Sequence, residues 1–185
     1  MTLKRFRKFQ TLISATIFLC VFFFFFSTTK FNLTEIQLSY WGVNNEYSWL
    51  WNIALIIVSI SFYFNFKHYI ASNHRIKVNK ITNLLFYTIF ISLFFTATID
   101  MTYILHNFFA YIYFFSYPLA IFLLAHFNSN NLLYNEWLTH LIFSLAIIVT
   151  PLSLIPFYKG FAYPEIIHSF FIMLWNGWIA KNIND

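Results

Sequence analysis

Phe9 to Ser27 read FQTLISATIFLCVFFFFFS, a run without a charged residue, and Lys4, Arg5, Arg7 and Lys8 stand directly before it. A bilayer core about 30 Å thick is crossed by roughly 20 apolar residues in a helix. The run therefore predicts a first transmembrane helix with its basic end at one membrane surface. A basic head and an apolar run also make a signal peptide. Here Ser27, Thr28 and Thr29 follow where a small-residue cleavage site would stand, and bulky Leu19 precedes Cys20. The segment is expected to stay attached.

Working outward, the same pattern recurs five times. Apolar stretches predict helices over Trp49–Phe66, Thr82–Ile104, Phe108–His126, Trp137–Pro156 and Pro164–Ala180. No formally charged residue lies between Asp100 and Glu136, a distance too long for one span, so Asp100, His106 and Asn107 are expected to mark a turn. Pro118 should kink the fourth helix because it brings no amide donor. Pro151 and Pro156 should loosen the end of the fifth, and Pro164 suits a helix's first turn. Trp175, Trp178 and Lys181 form an interfacial anchor at the end of the sixth. Between the first two spans, Asn32 and Glu35 have capping-box spacing. Leu33, Ile36 and Leu38 would then give a short interfacial helix, anchored by Tyr40 and Trp41. The fold class expected is all-α: one six-helix polytopic membrane bundle over residues 1–185, without a separate domain or internal repeat.

Composition agrees. Of 185 residues, 60% are hydrophobic and only 9% charged, against about a quarter charged in soluble domains, so lipid must solvate much of the surface. The net charge of +5 does not point to nucleic acid, because the basic residues flank apolar runs instead of forming a stripe. With the N-terminus inside, Lys4, Arg5, Arg7, Lys8, Lys67, Arg75, Lys77, Lys80 and Lys181 fall on the cytoplasmic side, and Lys30 and Lys159 outside. That asymmetry places both termini in the cytoplasm. The basic loop Lys67 to Lys80 sets topology and meets anionic lipid headgroups. Cys20 is the only cysteine, and three glycines are too few for Gly-x-x-x-Gly packing. Richness in Phe, Ile and Asn suits an AT-rich bacterial genome, hence a bacterial inner membrane.

Ionisable residues at membrane depth are costly and are functional candidates. Asp100, His106, Glu165 and His168 fall near the outer face; His126, Glu136 and His140 fall near the inner face. Glu165 and His168 are three apart and share a helical face, the Glu-x-x-His spacing of helical metal sites. If Asp100 and His106 converged on them, a divalent metal held by these four residues could activate water against a lipid or peptide. Otherwise Glu165 simply complements the positive end of its helix, and the histidines sit at headgroup level. Haem is a further alternative, with His106 and His168 outside and His126 and His140 inside, though ligation needs facing helices. No Lys lies within a predicted span to form a retinal Schiff base.

At Leu38-Ser39-Tyr40-Trp41-Gly42 and Trp51-Asn52 the chain resembles the bacterial six-helix membrane family catalogued as domain of unknown function 998, itself similar to the Frag/DRAM/Sfk-type membrane proteins. The resemblance rests on Ser39 and Gly42 before helix 2, Asn52 at its start, His106 with Asn107 near helix 4, Pro118 within it, and Glu165 opening helix 6. It covers about Phe9 to Ala180. It implies a fold without an established activity, and places the matched polar residues on the outer side.

The expected working surface is a shallow outward-facing polar pocket of Ser39, Asn52, Asp100, His106, Asn107, Glu165 and His168, with Tyr40 and Trp41 on its rim. The leading expectation is a non-enzymatic protein that binds a membrane lipid headgroup or serves as accessory subunit of a larger membrane-protein complex, with no cofactor and no nucleic acid. The alternatives are a membrane-embedded metal-dependent hydrolase and a haem-binding electron-transfer subunit.

Overall fold

A computed structural model describes residues 3–28, 41–42, 46–99, 103–154 and 162–183. They form six helices: α1 (Leu3–Thr28), α2 (Ser48–Ser72), α3 (Lys80–Thr98), α4 (Ile104–Phe127), α5 (Tyr134–Leu154) and α6 (Ala162–Lys181). Each packs on its neighbours in sequence, α6 returns to α1, and α2 also meets α6 across the middle. The bundle is therefore a closed ring, with α2 and α6 the main pair that meets across it. Five helices are long and apolar enough to cross a membrane. The sixth, α6, carries Glu165, His168 and Asn176, and lies against α1, α2 and α5. The polytopic helical bundle is as expected. The proposed interfacial helix, Ser39, Tyr40 and Asp100 lie outside the described residues.

Several boundaries differ from expectation, each for a local reason. Helix α2 continues past Phe66 to Ser72, because the polar residues there find partners. Lys67 Nζ donates to Tyr87 Oη (3.0 Å), and His68 Nε2 lies 2.5 Å from an Arg7 guanidinium nitrogen. Helix α3 ends at Thr98, and α4 already begins at Ile104. His106 and Asn107 thus belong to the first turn of α4, not to a turn between helices; His106 N donates to Tyr103 O (3.0 Å). Helix α4 runs on through Pro118. At the start of α3, Asn79 Oδ1 accepts from Thr82 N (2.7 Å), an N-cap that holds the first turn.

In lipid, apolar contact does not by itself hold helices together, and packing and polar contacts must do it. The α1–α2 seam shows how. In the half that holds the N-terminus, the inner half in the orientation expected from the basic residues, it is a ladder at helical spacing: Arg7 to His68, Asn65 Nδ2 to Thr11 Oγ1 (2.6 Å) and Ser14 Oγ to Ser61 Oγ (3.1 Å). In the outer half the rungs become aromatic. Phe18 meets Trp51 at 5.6 Å, Trp41 stacks on Phe25 at 5.5 Å, and Trp41 and Trp51 meet edge to face at 5.1 Å. The inner core is tied by His140. Trp175 Nε1 donates to its Nδ1 (3.2 Å), which must then be the bare nitrogen, so Nε2–H is left to donate to Tyr69 Oη (3.1 Å). Asn176 Nδ2 on α6 donates to Tyr117 Oη on α4 (2.5 Å).

Candidate functional site

The outer half of the bundle is hollow. A cavity of about 110 Å³ is lined by residues of five helices, among them Phe18 of α1, Trp51 and Val58 of α2, Leu93 and Thr96 of α3, Tyr113 and Phe114 of α4, and Glu165 and His168 of α6. Its wall is mostly apolar, with Thr96, Glu165, His168 and Ser169 as the polar members. The expected pairing of Glu165 and His168 on one face of α6 is what brings both to it.

His168 is held by a defect in a neighbouring helix. Pro151 in α5 has no N–H, so the carbonyl four residues earlier, Ile147 O, loses its helical donor. His168 Nδ1 lies 3.0 Å from that oxygen. A carbonyl only accepts, so Nδ1 carries the proton, and in the neutral ring Nε2 is the bare acceptor. The imidazole also stacks on Phe114 with centroids 4.2 Å apart. It is 2% exposed, and Nε2 is buried without a hydrogen-bond partner.

A second, much smaller pocket adjoins the first. It holds about 10 Å³ between Gly42, Trp51, Asn52, Leu55, Thr96, Ile99 and His106, and shares Trp51, Leu55 and Thr96 with the larger cavity. His106 repeats the arrangement of His168. Its Nδ1 lies 2.8 Å from Ile99 O, just past the end of α3, and its Nε2 is buried without a partner. Asn52 Nδ2 donates to Gly42 O at 3.3 Å. A Cβ at Gly42 would lie 2.6 Å from Asn52 Oδ1 and 3.3 Å from Trp51 Cδ1, so any larger residue there requires the Asn52 amide to move.

The expected pocket residues therefore divide. Asn52 and His106 meet in the small pocket, and Glu165 and His168 in the large one. Two placements need correction. Trp41 is 1% exposed within the aromatic cluster, not on a rim, and Asn107 is exposed because it falls on the outward side of α4 once that helix starts at Ile104. The four expected metal ligands do not form one centre among the described residues: Asp100 is outside them, His106 and His168 line different pockets, and no group of three His, Cys, Asp or Glu comes together. The four histidines do not form haem-like pairs either. His140 has both ring nitrogens engaged, and His126 is exposed and stacks on Phe122. Sequence reasoning missed Trp51, Thr96 and Phe114. The spacing of Asn52 from Gly42 signalled Trp51's neighbourhood, but nothing in the pattern marked the other two.

The chain matches the family described as protein of unknown function (DUF998) over residues 12–181. It belongs to that family. The resemblance carried by Gly42, Asn52, His106, Pro118 and Glu165 is thereby upheld, and Gly42, Asn52 and His106 are the residues that meet in the small pocket. No curated protein and no solved structure matches the chain.

Proposed function

We propose that this family member is a non-enzymatic, lipid-binding protein of the bacterial cytoplasmic membrane, with both termini in the cytoplasm. The observation that carries the reading is the outer-half cavity. It is apolar enough to accept a segment of hydrocarbon chain and has a carboxyl and an imidazole in its wall. An apolar cavity of this order takes small hydrophobic groups in preference to water, so it suits the first carbons of a lipid and not the whole molecule. The basic residues Arg5, Arg7, Lys8, Lys67, Arg75, Lys77, Lys80 and Lys181 gather at the opposite end, which supports the orientation. A hydrolase would need a metal cluster or an activated nucleophile beside Glu165 and His168, and the described residues bring neither a third ligand nor a base-paired nucleophile there. An accessory role in a larger complex is compatible with lipid binding, but the cavity favours the lipid.

The test is lipid extraction and mass spectrometry on protein purified in mild detergent, beside Ala110→Trp, which places an indole in the cavity. A lipid held by the native chain and lost from the filled variant, with thermal unfolding preserved, is the expected result. The same lipid content in both proteins would sink the proposal.

A further inference from the structure

The small pocket bears on what kind of lipid the cavity takes. At about 10 Å³ it has room for about one oxygen atom. Its walls contain two buried polar atoms without hydrogen-bond partners, His106 Nε2 and Trp51 Nε1. They are of opposite kinds. Ile99 O takes the Nδ1 proton of His106, which leaves Nε2 an acceptor, while an indole N–H can only donate. His106 is 4% exposed and Trp51 3% exposed, so bulk water does not serve either. A buried polar atom without a partner costs about 1–3 kcal/mol, and here the two residues that carry such atoms line one small space. Asn52 adds a further acceptor in its Oδ1, and one of its two amide hydrogens is taken by Gly42 O. Among the described residues no Lys or Arg lines either pocket.

We infer that the chamber of Gly42, Trp51, Asn52 and His106 takes the hydroxyl of a neutral long-chain lipid alcohol, whose first carbons lie in the adjoining apolar cavity. The inference rests on the lipid-binding reading and names its ligand class. A hydroxyl donates once and accepts once, which is what the imidazole and the indole require. A phosphate would meet the acceptors His106 Nε2 and Asn52 Oδ1, with no cation among the described lining residues to offset its charge. An ammonium would leave the indole N–H unserved, and Glu165 lines the larger cavity, not the chamber. Shared walls at Trp51, Leu55 and Thr96 let one ligand reach both spaces.

The experiment uses the full chain in lipid nanodiscs and reads tryptophan fluorescence together with thermal stability. The probes are 1,2-dioctanoylglycerol, its methyl ether, dioctanoyl phosphatidic acid, geranylgeraniol and octadecylamine. The expected result is saturable binding of an alcohol at least about tenfold tighter than of the ether, the phosphate or the amine. Preference between the glyceride and the prenol identifies the source of the hydroxyl. His106→Phe should abolish the alcohol's advantage over the ether, and His106→Gln, which keeps an acceptor, should restore much of it, so a folding defect is separated from a lost hydrogen bond. Equal binding of alcohol and ether, or tighter binding of phosphate or amine, overturns the inference. If Ala110→Trp abolishes binding of every probe while alcohol and ether stay equal, the chamber fails and the cavity stands. If Ala110→Trp changes nothing, both fail.

Discussion

The two halves of the bundle use the same residue types to opposite ends. In the inner half His140 has both ring nitrogens satisfied, by Tyr69 and Trp175, and the α1–α2 seam is closed by side-chain hydrogen bonds. In the outer half His106 and His168 each spend Nδ1 on a backbone carbonyl and bury Nε2 without a partner, beside open space. The inner half also has unpaired atoms, Arg7 Nε, Thr82 Oγ1 and the amide oxygens of Asn65 and Asn176, but Arg7, Asn65 and Asn176 each tie two helices together through another atom. The difference separates a histidine that holds a fold from one that the fold holds in place for something else.

The largest effect should follow from breaking the inner network. His140→Ala leaves Tyr69 Oη and Trp175 Nε1 unserved and opens a cavity, and should cost about 3 kcal/mol in detergent unfolding experiments. A cost near zero would mean that the inner half is not the rigid one. Next is Gly42→Ala. With a Cβ 2.6 Å from Asn52 Oδ1, it should cost about 1–2 kcal/mol, and Asn52→Ala in the same chain should remove much of that penalty. Additive costs would show that the two residues do not press on each other.

A smaller, more diagnostic effect concerns Pro151. Pro151→Ala restores an N–H to Ile147 O, so His168 is no longer that carbonyl's sole donor. The cost of His168→Phe should then fall by about 0.5–1 kcal/mol in a double-mutant cycle; no coupling would refute the account of how His168 is positioned. Smallest is Thr11→Val, which removes the acceptor of Asn65 Nδ2 and should cost about 0.6 kcal/mol, a typical value for a hydrogen bond between membrane helices. A much larger loss would make the seam, not the core, the main tie of α1.

The helices were legible from the sequence because hydropathy and length act locally, and the six predicted spans are the six observed helices. The end of α3 and the start of α4 were not. His106 and Asn107 look like turn residues in a linear pattern, but the His106 Nδ1 finds Ile99 O just past the end of α3. Glu165 and His168 could be paired from their spacing alone. That Pro151 frees the carbonyl which orients His168 depends on how α5 lies beside α6, and one chain read in order does not contain that register. Trp41 was misplaced for a similar reason: an aromatic residue near a span's end suits an interfacial anchor as well as it suits a stack on Phe25.

The ladder between α1 and α2 also bears on how the protein is made. Arg7, Thr11 and Ser14 lie on α1, which leaves the ribosome before α2, and their partners His68, Asn65 and Ser61 lie on α2. Until α2 arrives, those groups have partners only within α1: Thr11 Oγ1 donates to Arg7 O, Ser14 Oγ to Thr11 O, and Arg7 to Gln10 Oε1. The two helices are thus suited to enter the bilayer as a hairpin, zipped by polar rungs before α6 is synthesised. The ring closes last, when α6 docks against both of them and completes the wall of the larger cavity.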